Sequence, residues 1–183
     1  SRGLGDVYKR QDLVSQYVGE TPKLVRSVFD KAMGGVLFID EAYSLKQNDS
    51  DAVGQQAIDT ILTLAENRRG KVIVILAGYS KEMGEFIHSN SGLESRFNKI
   101  INFRDYTGKE LAEIFRRMVK SSPEGYTLSA KAEEHLDQVF ERMEKMKTRN
   151  FGNAREVRNK YQQAVSALIA RNDKARQELS LIH

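Results

Sequence analysis

Residues 34–45 read GGVLFIDEAYSL. Two glycines lead into four apolar residues, Val36 to Ile39, and these run directly into Asp40 and Glu41. The apolar run is too short and too uniform for a surface helix and reads as a central strand. Two acids at its end admit two readings. The strand meets solvent there, or it delivers the acids to a site. The second has a chemical rationale: in nucleotide hydrolysis an Asp holds magnesium through water, and a Glu polarises the water that attacks the γ-phosphate. A buried strand fixes both groups closely.

Upstream, Thr21-Pro22 predicts a helix start, with Thr21 as N-cap and proline at the first helical position. Leu24, Val25, Val28, Phe29 and Ala32 follow a helical period that Gly34 stops. Downstream, a polar loop at 46–51 precedes a helix marked by Val53, Ala57, Ile58, Ile61, Leu62 and Ala65, ending near Gly70. KVIVILAG at 71–78 reads as a second buried strand, Ser80 caps a short helix carrying Met83, Phe86 and Ile87, and KIINF at 99–103 reads as a third, weaker strand. Helices alternating with buried-type strands predict an α/β fold, a parallel sheet with helices on both faces. Function in such sheets gathers at the carboxyl ends of the strands, where Asp40 and Glu41 sit.

After Phe103 the pattern turns wholly helical. Thr107 and Glu110 have capping-box spacing ahead of Leu111, Ile114, Phe115 and Met118. Ser129 precedes a helix with Leu136, Val139, Phe140 and Met143 on one side, and a last helix from near Asn153 carries Val157, Tyr161, Val165, Leu168 and Ile169. The expected organisation is an α/β core over 12–103 and a small all-helical domain over 104–178. Residues 1–11 and 179–183 resemble translated adapter sequence and are set aside from the fold. On that reading the chain is a piece of a longer protein.

Composition narrows the function. With 40% hydrophobic and 30% charged residues the chain forms a core. The net charge of +4 is spread along the sequence and does not imply nucleic acid. The absence of cysteine excludes disulfides, thiolate metal sites and cysteine nucleophiles, and it fits a reducing, cytoplasmic setting. His88, His135 and His183 have no metal-ligand spacing. No apolar run approaches the roughly 18 residues of a membrane span.

Two further stretches bear on the acids. SGLESRF at 91–97 contains Arg96, and FGNAREVRN at 151–159 contains Arg155. The planar guanidinium fork suits phosphate, although each arginine taken singly also reads as a solvated surface residue. Together with AMGGVLFIDEAYSL and VIVILAGYSKEM, these stretches resemble the AAA+ ATPases of the CbbX and stage V sporulation protein K group, which includes the red-type rubisco activase. The resemblance covers about residues 12–176. It implies a partial P-loop nucleotidase core followed by a helical lid, with ATP and magnesium as cofactors.

Residue by residue, Asp40 and Glu41 match the Walker B acids, with Asp40 the magnesium residue. Arg96 matches the arginine finger that reaches a neighbouring subunit's nucleotide, and Arg155 the lid arginine that senses the γ-phosphate. Tyr17, Val18 and Gly19 match the pore loop that grips a protein substrate; a tyrosine packed beneath its loop is the alternative. The implied partners are copies of the chain in a ring, with a hexamer the family expectation, and a protein substrate. Membrane and nucleic acid are not expected.

Two departures stand out. The second strand usually ends in a polar sensor residue, and here Tyr79 occupies that position, either bonding phosphate through its hydroxyl or packing. No G-x-x-x-x-G-K-[ST] loop precedes Asp12 or occurs elsewhere. The chain alone is therefore expected to be inactive and its longer parent active. A nucleotide-dependent DNA-binding switch of initiator or loader type, and a non-enzymatic interaction module on an old ATPase fold, are the competing readings.

Overall fold

A computed structural model describes residues 6–17, 19–148 and 151–180, with side chains described as far as residue 173. Val18 and the outermost residues of both suspect ends lie outside the described residues. The chain divides into two units, Ser1–Asn102 and Phe103–His183.

The first unit is built on three parallel strands, β1 (Val7–Tyr8), β2 (Val36–Ile39) and β3 (Ile73–Leu76), in that spatial order. Tyr8 aligns with Ile39 and Ile39 with Leu76, while Val7 aligns with Phe38 and Phe38 with Ile75. The first row faces the core, where Leu37 and Ile39 are fully buried. Helices α1 (Arg10–Leu13), α2 (Thr21–Lys31) and α3 (Ala52–Asn67) supply Leu13, Val25, Phe29, Ile58 and Ile61 to that core. Phe86 of α4 (Ser80–His88) and Leu93 of α5 (Ser91–Arg96) complete it. The second row is more open: Val7, Ile73 and Ile75 are exposed, and Val36 and Phe38 are half-buried.

Four local expectations meet a different outcome, the smallest being that Ser80 is the first residue of α4 and Tyr79 takes its cap position. Val7–Tyr8, in the stretch set aside at 1–11, pairs with β2. KIINF is not a strand: residues 97–107 have no regular structure, and Ile100, Ile101 and Phe103 are exposed. Strand propensity expresses itself only against a paired neighbour, and β3 is the sheet edge with no further partner among the described residues. Thr21 does not cap α2. Its buried hydroxyl accepts from the Ser15 amide at 3.0 Å, and Glu20 takes the cap position without a side-chain bond.

The second unit is all helical: α6 (Gly108–Lys120), α7 (Ala130–Lys145) and α8 (Ala154–Ser180). The expected capping box forms between Thr107 and Glu110, and Ser129 Oγ accepts from the Ala132 amide to start α7. Both α7 and α8 pack on α6. Phe115 is at the centre, its ring 5.7 Å from Phe140 and 6.0 Å from Tyr161, with Leu111 and Val157 fully buried beside it. Among the described residues, no helix is long and apolar enough to cross a membrane.

Candidate functional site

The acids stand at the carboxyl end of β2, where backbone bonds from both neighbours converge. The Asp40 amide donates to Tyr8 O at 2.8 Å, the Ala77 amide to Ile39 O at 2.9 Å, and the Ala42 amide to Ala77 O at 3.0 Å. The ends of β1 and β3 thus pin the end of β2 from both sides. Glu41 turns the chain out of the strand in a left-handed conformation, φ 51° and ψ 43°, into a 3-10 turn at Ala42–Leu45. Such a backbone is costly for a residue with a side chain, and strain of this kind concentrates at functional sites.

Arg10 of α1 anchors the far end of the 3-10 turn. It donates to the carbonyls of Ser44 and Leu45 and pairs with Asp51 at 2.8 Å. Asp51 also caps α3, accepting from Gly54 and Gln47. Burial pushes the Asp51 carboxyl upward, but those two amides and the Arg10 guanidinium outweigh it and hold the acid below its usual range.

Two residues that sequence reading missed stand beside the acids. Lys9 Nζ lies 3.7 Å from Asp40 Oδ2 and 3.7 Å from Glu41 Oε2, all three side chains being between a third and a half exposed. Tyr43 packs its ring against Gly78, where an added Cβ would fall 2.7 Å from it. Its hydroxyl is pushed above the usual range, first by burial, then by the charge of Glu41 and by Tyr79, Glu82 and Asp40. Tyr43 was legible only as a neighbour of Glu41 in the motif, and Lys9 lay in a stretch set aside.

The other expected residues are not all brought together. Tyr79 follows β3 and is 60% exposed, near Tyr43. Arg96 ends α5, with Nε 3.6 Å from Glu66 of α3. Arg155, in the first turn of α8, belongs to the second unit and is exposed, and its guanidinium has no hydrogen bond or ion pair among the described residues. Tyr17 is 73% exposed on a loop held by bonds from the Tyr17 amide to Ser15 Oγ and from Ser15 Oγ to Glu20. Gly19 supplies the left-handed turn, φ 79°.

The donor set suits magnesium in its usual mode. Asp40 and Glu41 offer hard carboxylate oxygens that reach solvent, and no group of three or more potential ligands exists among the described residues. Magnesium ordinarily takes one or two carboxylates and completes its shell with water and substrate phosphates.

Comparison with known proteins shows the family. Residues 7–105 match the model of the ATPase family associated with various cellular activities (AAA), and residues 107–182 match the AAA lid domain. The chain is 45% identical over 152 residues to a CfxQ homolog of Trieres chinensis, covering 82% of this chain and 50% of the relative. It is 40% identical over 164 residues to stage V sporulation protein K of Bacillus subtilis, covering 89% and 50%. It is 42% identical over 151 residues to the chloroplastic ribulose bisphosphate carboxylase/oxygenase activase of Cyanidioschyzon merolae, covering 82% and 50%. The chain spans about half the length of the curated relatives it matches.

Proposed function

Since the chain belongs to the AAA family of ATPases, we propose that it forms part of a cytoplasmic machine that couples ATP binding and hydrolysis to the remodelling of a protein substrate through the pore of a ring of identical subunits. The observation that carries this reading is the Asp40–Glu41 pair at the end of β2, its backbone pinned by Tyr8 and Ala77. Names of relatives that include an activase support a protein as the substrate.

Bound magnesium neutralises phosphate charge during the transfer. Asp40 would hold the ion through water, and Glu41 would orient and polarise the attacking water. Arg96, on a short helix, serves the nucleotide of a neighbouring subunit. Arg155, exposed and unpaired, contacts phosphate from the lid, and Tyr79 offers its hydroxyl at the end of β3. Tyr17 and Gly19, with Val18 between them, grip substrate; the exposure of Tyr17 supports this role.

No G-x-x-x-x-G-K-[ST] loop occurs among the 183 residues. Its amides and lysine would cradle the phosphates, so this chain alone is expected to hydrolyse no ATP. A steady-state assay tests that expectation: turnover by this chain that Glu41→Gln abolishes overturns it. In a parent protein carrying such a loop, Glu41→Gln and Arg96→Ala are each expected to remove turnover while Glu41→Gln retains nucleotide binding. Full activity in Glu41→Gln would overturn the functional reading.

A further inference from the structure

Asn153 stands immediately before α8 with a left-handed backbone, φ 48°. Asparagine is among the few side chains that tolerate this region, usually because it bonds locally. Here it bonds far along the chain. Its Nδ2 donates to Asp105 Oδ1 at 2.8 Å, and its Oδ1 accepts the Tyr106 amide at 3.0 Å. One acceptor and one donor on adjacent residues match the two ends of a carboxamide in a single orientation. The other oxygen of Asp105 accepts from Lys147 Nζ at 2.8 Å. The Asn153 carbonyl meanwhile accepts from the amides of Glu156 and Val157, so the same residue begins α8.

These bonds close on a segment otherwise held by the Arg104–Glu110 ion pair and the Thr107–Glu110 capping box. Residues 97–107 are without regular structure, and Ile100, Ile101, Phe103 and Tyr106 are exposed. Arg155 lies two residues beyond Asn153, its own amide bonded to Gly152 O at 2.9 Å and its guanidinium uncommitted among the described residues. We propose that Asn153 is a positioning residue, a latch that ties the first turn of α8, and Arg155 with it, to Asp105–Tyr106 in the segment entering the helical unit. A displacement of that turn is carried through the carboxamide into residues 105–106. The transmission rests on the reading of Arg155 as a phosphate contact; the latch itself does not.

The discriminating variant is Asn153→Gly, because glycine keeps the left-handed backbone at no steric cost and deletes only the side chain. Amide hydrogen exchange on the full chain is the readout. The Tyr106 amide is expected to exchange about tenfold faster in Asn153→Gly, the scale of losing its hydrogen-bond partner. The Phe115 and Phe140 amides in α6 and α7 keep their wild-type rates. Unchanged protection at Tyr106, or an equal acceleration throughout the helical unit, overturns the latch. Arg155→Ala leaves Tyr106 protection intact.

In the parent protein, addition of a non-hydrolysable ATP analogue is expected to change Tyr106 protection in wild type but not in Arg155→Ala or Asn153→Gly. A change that persists in Arg155→Ala overturns the role given to Arg155 and leaves the latch standing. No change in wild type overturns the transmission.

Discussion

The Glu41 amide donates to Oδ1 of Asp40 at 3.1 Å, from a backbone turned to φ 51°. The two acids are thus positioned by one local bond and one strained residue. The left-handed region costs an ordinary residue about 1–2 kcal/mol, partly offset in glycine by its larger loss of chain entropy. Glu41→Gly is therefore expected to leave thermal stability unchanged or raise it by up to about 1 kcal/mol, while Glu41→Ala gains nothing. Thermal unfolding of both variants measures this; a marked fall in Glu41→Gly would show that the turn is not strained.

Lys9 sits 3.7 Å from both carboxylates and competes with any cation for them. Exposed ion pairs contribute little singly, so the effect is modest: Lys9→Ala is expected to tighten manganese binding at the acids about threefold to tenfold. Electron paramagnetic resonance of free manganese in titrations of this chain reads the change. Equal affinity in the two proteins would mean that Lys9 leaves the acids free.

Gly108 packs directly on α7. A Cβ there would lie 2.5 Å from Glu141 Cα and 2.7 Å from its amide nitrogen, both backbone atoms that cannot turn aside. Gly108→Ala is expected to destabilise the helical unit by about 1–3 kcal/mol, despite alanine's better helix propensity. Lys109→Ala on the neighbouring exposed position stays within about 0.5 kcal/mol. Urea unfolding followed by circular dichroism separates the two.

Acid should loosen the start of α6. The Arg104 guanidinium, then the Thr107 amide, hold the Glu110 carboxyl down from 4.5 to about 2. The group binds its proton less readily folded than unfolded. Its stabilising contribution is therefore present above about 4.5 and is lost as pH falls toward 2. Glu110→Gln keeps the capping geometry with Thr107 but not the ion pair, so its helicity should vary less across that window. A pH titration by circular dichroism shows whether the wild-type slope exceeds that of the variant.

Most of the elements were legible. The strands β2 and β3, the helical faces of α2, α3 and α6 to α8, and the caps at Thr107 and Ser129 all follow from patterns a few residues long. So does the delivery of Asp40 and Glu41 to a strand end. These features show in the apolar period and the cap spacing of a few neighbouring residues, which can be read without knowing what lies across the fold.

The tertiary structure decided the rest. KIINF has strand-like residues, but a strand exists only against a partner, and β3 offers none to it among the described residues. Thr21 has a capping side chain, but the Ser15 amide claims its hydroxyl. Lys9 reaches the acids across more than thirty residues, and Asn153 reaches Asp105 across 48. No local period encodes such pairs. A charged or amide side chain takes whichever partner folding brings within reach, and that partner is a property of the assembled chain, not of the residues on either side.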